Sequence, residues 1–311
     1  MNLIINTQII LLFSGSLIMA QNNNGINIII RSDDMGLNHS SNIGCELSYI
    51  RGIATAVEVM APCPYFMEAI AMLKNARNVE VGIHLTLNDE WSNYKWRPLT
   101  NCPSITDNDG YFFPQVWNKT GNLQNYYALK DEKWEIKEIE QELRAQIELT
   151  RKLIPQVNHI SLHMGFSSCA DTIEACVTKL AIEYHLIYLG NEYRRKDWGN
   201  DKNIFPIRLW NDKSDTTVEL SVKATIRTLS ELKPGNYMFI DHPAENTDEM
   251  RALGYLASDN VAYKREKVTK VFTSPEVIDF IKKHSNIHFV GYKDIWSNYI
   301  KKLETQKTNN K

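Results

Sequence analysis

The sequence predicts an α/β fold in which parallel strands and helices form a barrel or near-barrel. Short apolar segments rich in β-branched or aromatic residues alternate with segments of helical periodicity, an order typical of parallel sheets with helical crossovers. The 311 residues contain no linker and no internal repeat, and α/β barrels often exceed about 200 residues as one unit. We therefore expect one domain over residues 21–304, followed by a frayed polar tail at residues 305–311.

Seven segments are predicted as strands because they are short, apolar and bounded by Gly, Pro, Asn or Asp. The first contains three consecutive isoleucines and is followed by two aspartates. The predicted strands are Ile26–Arg31, Ala54–Met60, Val79–Leu87, Val157–His163, Leu186–Gly190, Tyr237–Ile240 and Ile287–Val290.

Four segments are predicted as helices. The longest places apolar residues at helical spacing among Glu and Lys, and the last has Ser274 as N-cap and Pro275 at the first helical position. The predicted helices are Tyr65–Arg77, Asp131–Leu153, Asp171–His185 and Pro275–His284. In contrast, Trp91–Gly121 shows no period, and a segment of this length in a compact domain is usually a lid or a binding loop.

Composition excludes several classes of protein. An apolar share of 43% and a mean hydropathy of −0.36 are ordinary for a globular chain and exclude a disordered, collagen-like or polytopic membrane protein. Lys and Arg total 35 against 37 for Asp and Glu. The net charge of −2 therefore gives the chain no general attraction to nucleic acid or anionic lipid. We expect neither a nucleic-acid partner nor a stable membrane partner, and the sequence leaves the oligomeric state open.

The first 20 residues resemble a secretory signal. An apolar stretch precedes the first charged side chain, Arg31, and is too short for a comfortable membrane span. We expect cleavage near Ala20 and export to the periplasm or the extracellular space, with an uncleaved anchor or a buried strand as the alternatives. The five cysteines form no CxxC pair and are odd in number, so we interpret them as small buried residues rather than a disulfide scaffold.

Asp33 and Asp34 follow the first predicted strand. Two adjacent carboxylates at the end of a buried strand are costly to desolvate unless a positive group lies beside them. Because neighbouring strand residues point to opposite faces, one aspartate could bind a cation while the other stays free to accept a proton. A turn is the alternative interpretation, since Asp-Asp before Met-Gly is also typical of turns.

Histidines occur on two further strands. His84 projects on the same face as Gly82, which leaves space beside it. His159 and His163 are four residues apart, about 13 Å along a strand, so they cannot both ligate one ion. His163 lies nearer the carboxyl end, where α/β sheets place their sites, and we expect His159 to pack deeper. A hydrogen-bonded core histidine is the alternative for each.

A fourth strand ends in Asp241-His242-Pro243. Four strands that end in Asp or His favour convergence at one mouth of the barrel. Asp34, His84 and His163 would then form a mixed oxygen and nitrogen ligand set for catalytic zinc or a similar divalent ion. A metal-bound water would be the nucleophile, with Asp33 as the general base that takes its proton and His242 as the acid that protonates the leaving group.

Four motifs resemble, in order and spacing, the YdjC-like carbohydrate deacetylases, also called the ChbG/HpnK family. They are Asp33–Leu37 with Asn38 and Asn42, Gly82–Leu87, His159–His163, and His242-Pro243. The likeness runs from about Ile26 to Ile295. It implies a distorted TIM-like (β/α) barrel that removes the N-acetyl group of an amino sugar in an oligosaccharide or glycoconjugate, with a divalent metal, zinc or magnesium, as cofactor.

The resemblance also implies residue roles. Asp34, His84 and His163 would hold the metal and Asp33 would be the general base, the same set that the residues themselves indicate. Better-known members carry Asp where this chain has Ser161, and this departure leaves the sugar specificity open.

Further side chains are expected to contact the substrate, each with a structural alternative. Glu58 and Glu90 could instead form a salt-bridged pocket wall, and His39 could form hydrogen bonds at the start of a helix. Aromatic residues of the long segment could stack on sugar rings or form that segment's own small core. These are Trp91, Tyr94, Trp96, Tyr111, Phe112 and Trp117.

Two rival functions remain at this stage. A catalytically impaired sugar-binding barrel would keep the fold and lose turnover, although pure binding does not need the base Asp33. A glycoside hydrolase needs two carboxylates about 5 to 9.5 Å apart. Asp33 and Asp34 are adjacent in the chain and are therefore poor candidates for such a pair.

Overall fold

The computed structural model describes residues 25–91, 93–117, 127–190, 204–254 and 260–296. Within these ranges the chain forms a single α/β domain on a parallel sheet that curls into a distorted, half-closed TIM-like barrel, as predicted. No helix in the described part is long and apolar enough to span a bilayer. The predicted leader at residues 1–20 and the predicted tail at 305–311 lie outside the described residues.

All strand pairings in the sheet are parallel. The order across the sheet is β5-β4-β3-β2-β1-β7-β6, and β8 pairs with the first residues of β1. The strands are β1 (Ile26–Met35), β2 (Ala56–Val59), β3 (Glu80–Leu85), β4 (His159–Leu162), β5 (Ile187–Tyr188), β6 (Ile204–Pro206), β7 (Gly235–Asp241) and β8 (Ile287–Phe289). The seven predicted strands are confirmed, and β6 was not predicted.

Helices connect the strands. They are α1 (His39–Ile50), α2 (Phe66–Leu73), α3 (Ile136–Leu153), α4 (Asp171–Glu183), α5 (Val218–Glu231), α6 (Asp248–Arg251), α7 (Val261–Phe272) and α8 (Pro275–Lys283). The four predicted helices are confirmed with shorter bounds, and Ser274 caps α8 as expected. Four helices, α1, α5, α6 and α7, were not predicted, although three of them have a side-chain cap. Asn38 accepts from the amide of Ser41, Thr217 from that of Leu220 and Thr247 from that of Met250.

Alternation along β1 separates two apolar layers. Ile28 and Ile30 belong to the large core between the sheet and the helices, whereas Ile29 belongs to a smaller cluster with Tyr292 and Trp296. The smaller cluster also contains residues of β2, β5, β6 and β7, so it fills the inner face of the curled sheet. Residues on the inner face of the strands therefore point into the barrel, and this face carries the polar groups described below.

We expect Gly44→Ala to destabilise the fold. A Cβ at position 44 would lie 2.3 Å from the Cα of Ala244, and backbone cannot yield as a flexible side chain can. Overpacking of this kind costs about 2–3 kcal/mol in the free energy of unfolding, which urea denaturation measures. Ile50→Ala on the same helix, where the side chain is 57% exposed, is the control and should change stability by no more than about 0.5 kcal/mol. Equal stability of the two variants would contradict the close approach of α1 to the backbone at Ala244.

Candidate active site

Polar side chains converge inside the barrel at the carboxyl ends of its central strands. β1 supplies Asp33 and Asp34, β3 supplies His84, and His163 follows β4 directly. All four side chains are at least 96% buried. Parallel strands bring their carboxyl ends to the same edge of a sheet, which explains why residues distant in sequence meet here.

A backbone irregularity turns both aspartates toward the same point. β1 continues to Met35, but its register with β2 shifts between Ser32 and Met35, and Asp34 adopts a left-handed backbone with φ of 68°. As a result, Nε2 of His84 lies 3.5 Å from Oδ1 of Asp34 and 3.9 Å from Oδ2 of Asp33. The prediction that the two carboxylates point to opposite faces is therefore wrong, because it assumed regular strand alternation.

Asp34, His84 and His163 form a compact group in which one ligand atom from each lies within 4.8 Å of the others. Nδ1 of His163 is 3.3 Å from Oδ1 of Asp34. That oxygen and both ring nitrogens of His163 are buried without a hydrogen-bond partner among the described residues. Buried polar atoms without partners are rare, and one oxygen with two imidazoles suits a divalent transition metal. The residues present therefore fit the predicted metal.

Arg265 of α7 balances the charge of Asp34. Its Nη2 lies 2.7 Å from Oδ2 of Asp34, and both side chains are buried. Burial alone would favour the neutral acid, but the positive charge of Arg265 holds the pKa of Asp34 well below its usual value. Asp34 is thus an anion with one oxygen occupied by Arg265 and the other directed at the imidazoles.

Arg31 holds Asp33 in a bidentate pair, with Nε and Nη2 each 2.8 Å from a carboxylate oxygen. Nη1 of Arg31 also donates to the hydroxyl of Tyr292 at 3.2 Å. Burial raises the pKa of Asp33 to about 6 despite the opposing effect of Arg31. No role was predicted for Arg31, although its position two residues before Asp33 places both on one face of a strand.

His242 lies just after β7, beside a cavity of about 240 Å³ whose lining also includes Glu90, Trp91 and Arg265. Its side chain is 40% exposed. The buried part of the side chain favours the neutral ring. The carboxylates of Asp34 and Asp241 outweigh this effect of burial and raise the pKa of His242 to about 9. The two carboxylates therefore favour the protonated ring of His242, which lines the cavity.

Two of the expected substrate contacts lie on this cavity. Glu90 has a carboxylate oxygen 3.6 Å from Nε2 of His163 and 3.9 Å from Nη2 of Arg265. Trp91 is only 5% exposed and has the guanidinium of Arg265 5.8 Å from its ring centroid. Both residues therefore line the cavity, and Glu90 also lies beside the ligand residue His163.

The other two expected contacts lie elsewhere. Nδ1 of His39 bonds to Glu68 at 2.8 Å and its side chain is 53% exposed, so it stands apart from the buried group. Glu58 has no exposed surface and accepts hydrogen bonds from His159 and Ser161. This buried position corresponds to the pocket-wall alternative for Glu58.

The long segment after β3 covers one side of the site. Trp96 is 2% exposed and packs edge-on against His163, with ring centroids 6.2 Å apart. Phe112 is fully buried, whereas Tyr94 donates from its hydroxyl to the carbonyl of Leu37. Trp96 and Phe112 thus belong to the main apolar core and offer no open stacking surface.

A family model of YdjC-like proteins matches residues 27–283. The chain belongs to the YdjC-like family. The predicted family and its enzyme class, a hydrolase that acts on amide bonds, are thereby confirmed.

Individual relatives of this YdjC-like chain agree with that assignment. A carbohydrate deacetylase of Clostridium beijerinckii is 27% identical over 284 residues, which cover 86% of this chain and 99% of that protein. A carbohydrate deacetylase of Thermus thermophilus is 30% identical over 165 residues, about half of each protein. A solved structure from Enterococcus faecalis, described as a candidate cellobiose-phosphate cleavage protein, has a TM-score of 0.68 at 20% identity and covers 86% of this chain and 98% of that chain, which shows a shared fold.

We expect Arg265→Met to lower the free energy of unfolding of the metal-free YdjC-like protein by about 3–5 kcal/mol, because it leaves the buried Asp34 carboxylate uncompensated. Chemical denaturation measures this change. Arg251→Met is the matched control, since Arg251 pairs with the fully exposed Asp248 on the surface, and it should have little effect. If both variants unfolded at the same denaturant concentration, Arg265 would not be the group that stabilises the charge of Asp34.

Proposed function

We propose that this protein is a divalent-metal-dependent hydrolase that removes the N-acetyl group of an amino sugar in an oligosaccharide or glycoconjugate. The observation that carries the proposal is the buried group of Asp34, His84 and His163 with Asp33 beside it. The carbohydrate deacetylases among the relatives support an acetylated saccharide as the substrate. The apolar leader favours an exported enzyme.

Asp34, His84 and His163 would hold the metal. Two imidazole nitrogens favour zinc over magnesium, which prefers oxygen ligands. When bound, a divalent ion supplies Lewis acidity to the amide carbonyl and lowers the pKa of an attacking water. The Arg265 contact leaves Oδ1 of Asp34 available for the metal, because Arg265 occupies only Oδ2.

Asp33 would act as the general base. Oδ2 of Asp33 lies 3.9 Å from Nε2 of His84, so it faces the ligand group and can accept the proton of a water that attacks the acetyl carbon. The bidentate pair with Arg31 fixes the orientation of the carboxylate. A base positioned in this way typically contributes about 10² to 10⁴ in rate.

His242 would protonate the leaving amine. In the balanced reaction the water oxygen bonds to the acetyl carbon, the amide C–N bond breaks, and acetate and an amino sugar are formed. His242 carries the proton that the nitrogen needs, and its ring reaches the cavity that Glu90 and Trp91 also line. The proposed acid and base would come from neighbouring strands, because Asp33 lies on β1, His242 follows β7, and these two strands pair in the sheet.

The substrate would occupy the cavity of about 240 Å³ beside His242. Nη1 of Arg265 is buried there without a hydrogen-bond partner among the described residues, so it offers an N–H to a sugar oxygen. Trp91 and Glu90 supply an aromatic and an acidic wall. This arrangement is less suited to a glycosidase. The carboxylates of Asp33 and Asp34 both approach Nε2 of His84 instead of facing each other across a sugar.

We expect Asp33→Asn to lower acetate release by about 10² to 10⁴ while metal binding persists, because the amide cannot accept the proton and Asp34 remains intact. A screen of N-acetylated mono- and oligosaccharides for free acetate, with metal content measured on the same samples, tests this. Asp248→Asn, at a fully exposed carboxylate, is the control. Acetate release at the wild-type rate by Asp33→Asn would show that Asp33 is not the base.

We expect His84→Ala to lose both divalent-metal binding and acetate release, since it removes one of three ligands. Titration of chelator-treated protein with Zn²⁺ measures the binding. His284→Ala is the matched control, because His284 stacks on Phe280 on the surface helix α8 and bonds to its carbonyl. Unchanged zinc affinity in His84→Ala would remove the proposed metal centre.

A further inference from the structure

A buried chain of hydrogen bonds leads from Glu58 on β2 to the ligand group. The hydroxyl of Ser161 on β4 donates to Oε2 of Glu58 at 2.6 Å. Nδ1 of His84 lies 2.6 Å from the same hydroxyl oxygen. Glu58 has no exposed surface, and Ser161 and His84 are each 2% exposed, so solvent does not compete for these contacts.

The direction of each hydrogen bond follows from the charge of Glu58. Burial opposes its ionisation, but His159 and Arg31 outweigh this effect and lower the pKa of Glu58 to about 2. An ionised carboxylate only accepts hydrogen bonds, and a serine hydroxyl has one proton to give. Because Ser161 donates that proton to Glu58, its oxygen can only accept from His84.

We propose that Glu58, acting through Ser161, fixes His84 in the tautomer that carries its proton on Nδ1 and presents the bare Nε2 to Asp34 and His163. This inference rests on the metal site of the proposed function and assigns Glu58 and Ser161 as positioning residues. A metal-ligating imidazole needs its other nitrogen held by a partner of this kind, which sets the ring orientation and raises the basicity of the ligand. The same arrangement explains why Glu58 lies within the sheet rather than on the cavity.

The neighbouring groups hold Glu58 in place. Its second oxygen accepts from Nε2 of His159, whose ring stacks on Tyr292 with centroids 3.8 Å apart. Gly82 provides the space, since a Cβ there would lie 2.2 Å from Oε2 of Glu58. These contacts hold the carboxylate where its Oε2 reaches Ser161.

The tautomer can be measured without metal and without substrate. In chelator-treated protein with ¹⁵N-labelled histidine, at a pH where the imidazole is neutral, we expect a bonded proton on Nδ1 of His84 and none on Nε2. The spectrum of His84→Asn identifies the signals. A proton found on Nε2 of His84 in the wild-type protein would overturn the inference.

Removal of the Ser161 hydroxyl tests how the hydrogen-bond chain from Glu58 to His84 affects metal affinity. Ser161→Ala should weaken Zn²⁺ affinity by about 10- to 100-fold, the usual cost of losing such a partner, in a competition titration against a chelator. Ser48→Ala is the matched control, because Ser48 is fully buried and its hydroxyl bonds only to the carbonyl of Gly44 in the described structure, so its zinc affinity should stay at the wild-type value. Wild-type affinity in Ser161→Ala would overturn the inference.

These readouts separate the inference from the proposed reaction. If the wild-type protein bound Zn²⁺ with the proton of His84 on Nδ1, yet released no acetate from any N-acetylated saccharide, the deacetylase proposal would fail and the role of Ser161 would stand. If acetate were released and the proton lay on Nε2, the reverse would hold.

Discussion

Compensation of buried charge is the constraint on which the rest of this structure depends. The inner face of the sheet carries the buried carboxylates of Asp33, Asp34 and Glu58, and removing such groups from water is costly unless each has a partner. Arg31 pairs with Asp33, Arg265 pairs with Asp34, and Glu58 receives hydrogen bonds from two neighbouring side chains. We therefore expect a barrel interior of this polarity to be stable only when each of the three carboxylates keeps its partner.

The same constraint gives the two adjacent aspartates different surroundings. Both oxygens of Asp33 accept hydrogen bonds from the guanidinium of Arg31. In contrast, Asp34 pairs with Arg265 through one oxygen, and its other oxygen is directed at the imidazoles. The left-handed residue Asp34 makes this division possible, because it turns a side chain inward that regular pleating would send toward the helices. Local backbone strain of this kind is common at functional sites.

Much of the fold and of the ligand set could be predicted from the sequence, because strand ends are recognisable locally. Ile28–Ile30 before Asp33, and Gly82 before His84, are patterns of a few residues whose meaning depends on pleating alone. The bulge at Asp34 could not be predicted, since it depends on pairing with β2. The partners Arg265 and Tyr292 also escaped assignment, because they come from distant elements and no period links them to β1. β6 was not predicted because its Pro206 argues against a central strand, whereas β6 lies at an edge of the described sheet.

The position of Tyr292 has a consequence for biosynthesis. This residue follows β8, near the end of the described chain, yet it touches both Arg31 of the first strand and the ring of His159. During translation Asp34, His84 and His163 emerge before Arg265, the partner of Asp34, and before Tyr292. A chain that ended before residue 292 would lack both the hydroxyl that accepts from Arg31 and the ring that stacks on His159, so its polar interior would be incomplete.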